Sequence, residues 1–263
     1  MKKLALVLAA VAAFTGSAVA ADLPARTYSK APAPVAAVPN WTGCYVGGGG
    51  GFGMWNQENT GVNDIPGFAR TPFSAPATAG GRGYFGTVGA GCDYQFGVGA
   101  YNLVVGAFGD YDFASEKGQL NIPNSPATGQ EKLNQKWAVG GRIGWLVTPN
   151  LLTYFSGGYT EAQFNRVDFS FFPTTTSAFF MNSQTYKGFF LGAGDEYALN
   201  FLPGLFWKTE YRFSEFDTKT NPIFATTTGA PVFVSIDSKK WEHSVRSELV
   251  YRFNWGGPVV AKY

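Results

Sequence analysis

The chain has 263 residues, 20 Lys and Arg against 18 Asp and Glu, and more aromatic residues (17%) than charged ones (14%). That ratio inverts the usual soluble balance, and the small net charge gives no electrostatic case for nucleic acid. Two cysteines and one histidine leave little with which to build a metal centre.

Lys2 and Lys3 precede an apolar stretch from Leu4 to Phe14, and Ala18-Val19-Ala20 supplies small residues where a signal peptidase reads. Residues 1–20 therefore read as a signal peptide cleaved after Ala20. A transmembrane helix needs about 20 apolar residues; neither this stretch nor any later one reaches that length. Cleavage removes two bases and no acid, so the mature chain carries 18 of each sign. Residues 21–39, with four prolines among many alanines, read as an extended periplasmic tether. The folded domain is expected over 40–254, followed by a short periplasmic tail at 255–263.

The domain opens on "WTGCYVGGGGGFGMW", residues 41–55. Gly48, Gly50 and Gly53 formally match the G-x-G-x-x-G of a phosphate-binding turn, but that turn must open a helix. "MWNQENTG" follows with no 3.6-residue apolar period. The glycines instead read as strand positions where there is no room for side chains.

Candidate strands follow near 41–56, 82–96, 102–115, 132–147, 151–164, 184–199, 205–217 and 239–253. Each alternates unlike faces. In "WEHSVRSELVYRF", Trp241, Val245, Leu249, Tyr251 and Phe253 oppose Glu242, Ser244, Arg246, Glu248 and Arg252. In "GLFWKTEYRFS", Trp207, Tyr211 and Phe213 oppose Lys208, Glu210 and Arg212. One face is aromatic at its ends, and the other mixes charges with Gly, Ala and Ser. Strands that meet lipid outside and a polar interior read this way, and lipid tolerates no unpaired sheet edge. Gaps alternate short (97–101, 148–150, 200–204) and long (57–81, 116–131, 165–183, 218–238). The expected fold is all-β, an eight-stranded antiparallel transmembrane β-barrel with long loops on the outer rim. The recurrent strand glycines suit so narrow an interior.

"NWTGCYVGGGGGFG", "GTVGAGCDYQF", "AVGGRIGWLV", "LGAGDEYAL" and "SVRSELVYRF", in this order and spacing, resemble the small alphaproteobacterial outer-membrane β-barrel family. Its members are porin-family or OmpA-like barrels and include rhizobial and brucella-type surface antigens. The resemblance covers residues 40 to 253. It implies location in the outer membrane of a Gram-negative bacterium, structural and surface roles and, in some members, haem binding. It also implies that Val245, Leu249, Tyr251 and Phe253 are a closing-strand assembly signature read by the barrel-assembly machinery. Two departures stand out. Asp195 occupies an outward position where the family usually has an aliphatic residue, and Phe253 lies ten residues before the C-terminus.

Cys44 and Cys92, exported to an oxidising compartment on the first two strands, are candidates for a disulfide; two unpaired small apolar residues is the alternative. His243 falls on the outward parity beside Trp241, and Ser244 points to the other face, so the two form no dyad. Asp110, Asp112, Lys136, Arg142, Glu196, Lys208, Glu210, Arg212, Arg246, Glu248 and Arg252 face inward. Paired carboxylates can catalyse acid–base chemistry, but near-equal numbers of both signs point to a mutually paired network that fills the lumen. No catalytic, metal or cofactor site is assembled. The leading expectation is a non-enzymatic envelope-integrity and surface-display protein, in contact with outer-membrane lipids and lipopolysaccharide, with oligomeric state open. Alternatives are a narrow channel for ions or small solutes, or haem capture by the aromatic third loop, "RVDFSFFPTTTSAFFMNS".

Overall fold

The computed structural model describes residues 39–253; the expected signal peptide, the tail and nearly all of the tether lie outside them. Eleven strands share one sheet: β1 (Gly43–Asn63), β2 (Thr71–Pro72), β3 (Ala77–Val98), β4 (Tyr101–Asn121), β5 (Ala127–Thr148), β6 (Leu151–Phe164), β7 (Val167–Phe171), β8 (Ser177–Met181), β9 (Gln184–Ala198), β10 (Leu205–Ala225) and β11 (Pro231–Phe253). All the ladders are antiparallel.

The expected count of eight is corrected to eleven, and the sheet is not described by a plain eight-strand arrangement. The difference lies in the stretches read as long loops. The gap at 165–183 contains the β7–β8 hairpin, in which β7 pairs with β5 and β8 with β10. The hairpin takes over where β6 and β9 stop, so β5 and β10 keep partners to their upper ends. "VDFSF" alternates as a strand should, but the Pro-Thr-rich tip beside it masks the pattern. The gaps at 116–131 and 218–238 shrink to 122–126 and 226–230, because β4, β5, β10 and β11 run on as hairpins. Only 64–76 remains a long connection, with β2 pinned to β1 through Val62↔Pro72 and Asn63↔Thr71.

At the other end the connections are tight. Gly99-Ala100 joins β3 to β4 with Gly99 at φ 60, a left-handed turn that favours glycine. Pro149-Asn150 joins β5 to β6. The glycine run lies wholly within β1. A Cβ at Gly49 would sit 2.0 Å from the Ser247 carbonyl oxygen, and one at Gly51 would sit 2.3 Å from the Phe85 ring. Side chains are excluded there because the Phe85 ring and the β11 backbone occupy the space.

The inner face holds three apolar clusters. Trp41, Tyr45, Val104, Leu152, Tyr154, Ala198, Phe206 and Val250 gather at the tight-turn end. Trp55, Phe85, Leu133, Phe164, Tyr186 and Phe216 sit higher. Leu120, Ile122, Val167, Phe169, Met181, Ile223 and Ile236 fill the end that carries β7 and β8. The charged groups lie mostly between the first two.

Candidate functional site: an ionic lattice on the inner face

Inward parity places acids and bases from six strands against one another. At the tight-turn end, Arg142 (β5) and Arg252 (β11) each bind both Asp93 (β3) and Glu196 (β9). Arg142 Nε donates to Asp93 Oδ1 at 2.9 Å and Nη1 donates to Glu196 Oε2 at 2.8 Å. Arg252 Nη1 donates to Asp93 Oδ2 at 2.6 Å and Nη2 donates to Glu196 Oε1 at 2.6 Å. The result is a closed cycle of two guanidiniums and two carboxylates. Planar forked donors suit such bridging, which a lysine ammonium would not reproduce. Aromatic rings clasp the cycle: Arg142 lies 4.9 Å from the Tyr45 ring centre and 5.0 Å from that of Tyr154. Arg252 lies 5.0 Å from Trp41 and 4.9 Å from Phe206. Trp41 is fully buried beneath them, its indole N–H donating to the Pro149 carbonyl at 3.2 Å.

A second layer joins β4, β10 and β11. Arg212 holds Asp110 through two bonds of 3.0 and 2.9 Å and donates to Glu210 at 2.8 Å. Arg246 reaches Asp112 at 3.0 Å and Asp110 at 3.2 Å. Lys208 pairs with Glu248 at 2.9 Å, and the Tyr154 hydroxyl donates to Glu210 at 2.9 Å. Above it, Lys136 contacts Glu242 and, at 3.6 Å, Asp112. Lys240 binds Gln57 and, at 2.8 Å, Glu131, with the rings of Trp55, Phe164 and Tyr186 around it.

All eleven inward charges singled out in the sequence take part in ion pairs on the inner face, in separate groups. Sequence reasoning left out four members, Asp93, Glu116, Glu131 and Lys240, and placed Glu242 on the inward face without counting it in the network. Asp93 and Lys240 were legible, since each alternates with outward neighbours within a candidate strand. Glu116 and Glu131 were hidden by the reading of 116–131 as a loop. Glu116 is fully buried and has no hydrogen-bond partner on either oxygen.

Cys44 and Cys92, register partners on β1 and β3, are joined by a disulfide on the outward side. His243 also faces outward, its Nδ1 2.7 Å from the Tyr211 hydroxyl. Val245, Leu249, Tyr251 and Phe253 line the outward face of β11, which pairs with β1 on one side and β10 on the other. Asp195 faces outward too, accepting a bond from Thr153 Oγ1 at 2.6 Å. Among the described residues no group of three or more His, Cys, Asp or Glu is arranged to hold a metal.

No family model matches the sequence. The 31 kDa outer-membrane immunogenic proteins of Brucella melitensis and Brucella suis are each 30% identical to it over 256 residues, covering 94% of this chain and 99% of theirs. The chain belongs to the family of the 31 kDa outer-membrane immunogenic proteins. It is accordingly a β-structured protein of the Gram-negative outer membrane. Among solved structures, the outer membrane protein OprG of Pseudomonas aeruginosa matches 82% of the chain and 100% of its own at 12% identity, with a TM-score of 0.49. Neisserial surface protein A matches 81% and 98% at 12% identity, with a TM-score of 0.36. The outward apolar positions and the ionic lattice thus occupy opposite faces of the same strands.

Proposed function

We propose that this family member is a non-catalytic structural protein of the envelope that displays rigid β-extensions at the cell surface. One observation carries the reading: the inner face is filled by mutually paired charges, not by an open, lined site. The void beside Tyr45, Lys208 and Glu248 measures about 10 Å³, room for roughly one water. Conduction needs a continuous wet path, and the Arg142–Asp93–Arg252–Glu196 cycle occupies the inner face with Trp41 beneath.

Surface display is supported by strand length. A membrane crossing takes about 9–11 residues per strand, whereas β1, β4 and β10 have 21 each and β11 has 23. The surplus carries its own apolar cluster and so forms a packed platform. Haem capture by the third segment fits less well. Phe169 and Met181 are buried in that cluster and Phe180 stacks on Phe224 at 5.3 Å, leaving Phe172 as the exposed ring.

Planar-bilayer recording on refolded protein tests the reading against the narrow-channel alternative. The expected trace shows no steady open level in 1 M KCl. A reproducible ohmic conductance from the folded, heat-modifiable form would replace this reading with transport.

A further inference from the structure

One register row crosses the outward face just above its aromatic band. His243 of β11 is opposite Met54 of β1, Met54 opposite Arg82 of β3, Arg82 opposite Lys117 of β4, and Lys117 opposite Lys132 of β5. Four of these five neighbouring strands therefore present a basic side chain in one row. Arg82, Lys117 and His243 are exposed and Lys132 is half-buried. Other outward lysines have acid partners: Lys187 lies 3.8 Å from Glu161 and Lys239 lies 2.8 Å from Glu215. Arg82, Lys117 and Lys132 make no ion pair among the described residues.

The row borders a shallow cleft of about 510 Å³ whose lining includes Met54, Asn56, Gly80, Arg82, Lys117 and His243. Gly80, opposite Asn56 on one side and Gln119 on the other, leaves the space above Arg82 without a side chain. In the row below, Phe52 packs edge-on to Tyr84 at 5.3 Å. Unpaired cations thus stand over an aromatic and aliphatic wall. An amphiphile with an anionic head and acyl chains has the matching order.

We propose that this strip binds the phosphorylated head group of an outer-leaflet glycolipid of the lipid A class, with its acyl chains along Phe52, Tyr84 and Val88. The site rests on the reading above that the β7–β8 end of the sheet faces outward from the cell. Phosphate oxygens form short charge-assisted bonds to Arg and Lys, and these strengthen at a membrane surface where water is partly excluded. The cations also meet their counter-charge in the leaflet, so they need no acid within the chain.

Native mass spectrometry of the refolded protein in detergent tests this with three probes: diphosphorylated lipid A, the same lipid stripped of phosphate, and inorganic phosphate. Wild type is expected to retain the phosphorylated lipid at least tenfold better than the stripped form, and inorganic phosphate at millimolar level should not displace it. The R82Q/K117Q/K132Q variant should lose that preference, while K187Q/K239Q keeps it. Equal retention of both lipid forms by wild type, or an unchanged preference in the triple variant, overturns the site. Displacement by inorganic phosphate assigns it to the free ion and also overturns the lipid. Should the triple variant not fold, the wild-type ratio of the two lipid forms decides alone. Folded, membrane-inserted protein without the preference sinks the lipid site only; surface tags found at the opposite end of the sheet sink the orientation beneath it.

Discussion

Arg142 illustrates what single residues contribute here. Its guanidinium is buried with two carboxylates that have one other guanidinium between them. Removing it leaves Asp93 and Glu196 under-compensated, a situation that costs about 3–5 kcal/mol when a buried pair loses one partner. Arg142→Ala is therefore expected to lower the unfolding free energy of the refolded protein, read from urea titration, by that much. The simpler pair Lys208–Glu248 separates interaction from burial. Lys208→Met alone should destabilise, whereas Lys208→Met with Glu248→Leu should recover most of the loss, because paired charges repay little beyond their own desolvation. A double variant as unstable as the sum of its parts would show that the two residues do not act on each other.

Among the elements, the β7–β8 hairpin changes most between sequence and structure. The eight long strands were legible because aromatic and charged residues alternate in them with few interruptions. The three short ones were not: β2 is two residues long, and β7 and β8 flank a tip rich in Pro and Thr that reads as loop. The ionic lattice was legible to the same degree, since parity tells which side chains face inward but not which partner each meets across the interior. The cycle that joins Arg142 and Arg252 to Asp93 and Glu196 spans residues up to 159 positions apart, and pairing at that range follows from register, which local sequence does not encode. The hairpins also decide where insertions are tolerated. Gly61 lies in β1 against the Phe73 ring, whereas Gly67 has φ +84 and open space around it. Peptide tags at Gly67, Thr175 and Thr227 should be accessible to antibody on intact cells, and a tag at Asn150 should not. Labelling confined to Asn150 would invert the orientation.

For the whole molecule, embedding in lipid makes a quantitative demand on the outward face. β11 presents Trp241, His243, Val245, Ser247, Leu249, Tyr251 and Phe253 outward in sequence, aromatic at both ends and aliphatic on either side of Ser247. If that face spans the hydrocarbon, its middle lies near Ser247 and its ends lie at the interfaces. Arginine on a lipid-facing strand costs about 2–4 kcal/mol at the midplane and about 0–1 kcal/mol near the interfaces. Val245→Arg and Leu249→Arg should therefore depress reversible folding into phosphatidylcholine vesicles far more than Phe253→Arg. Lys239, already charged and paired with Glu215, marks the level at which the cost has vanished, so Lys239→Arg should be neutral. The comparison reads depth rather than packing, because none of these outward side chains fills the interior. Three equal small penalties would mean that water, not lipid, covers this face.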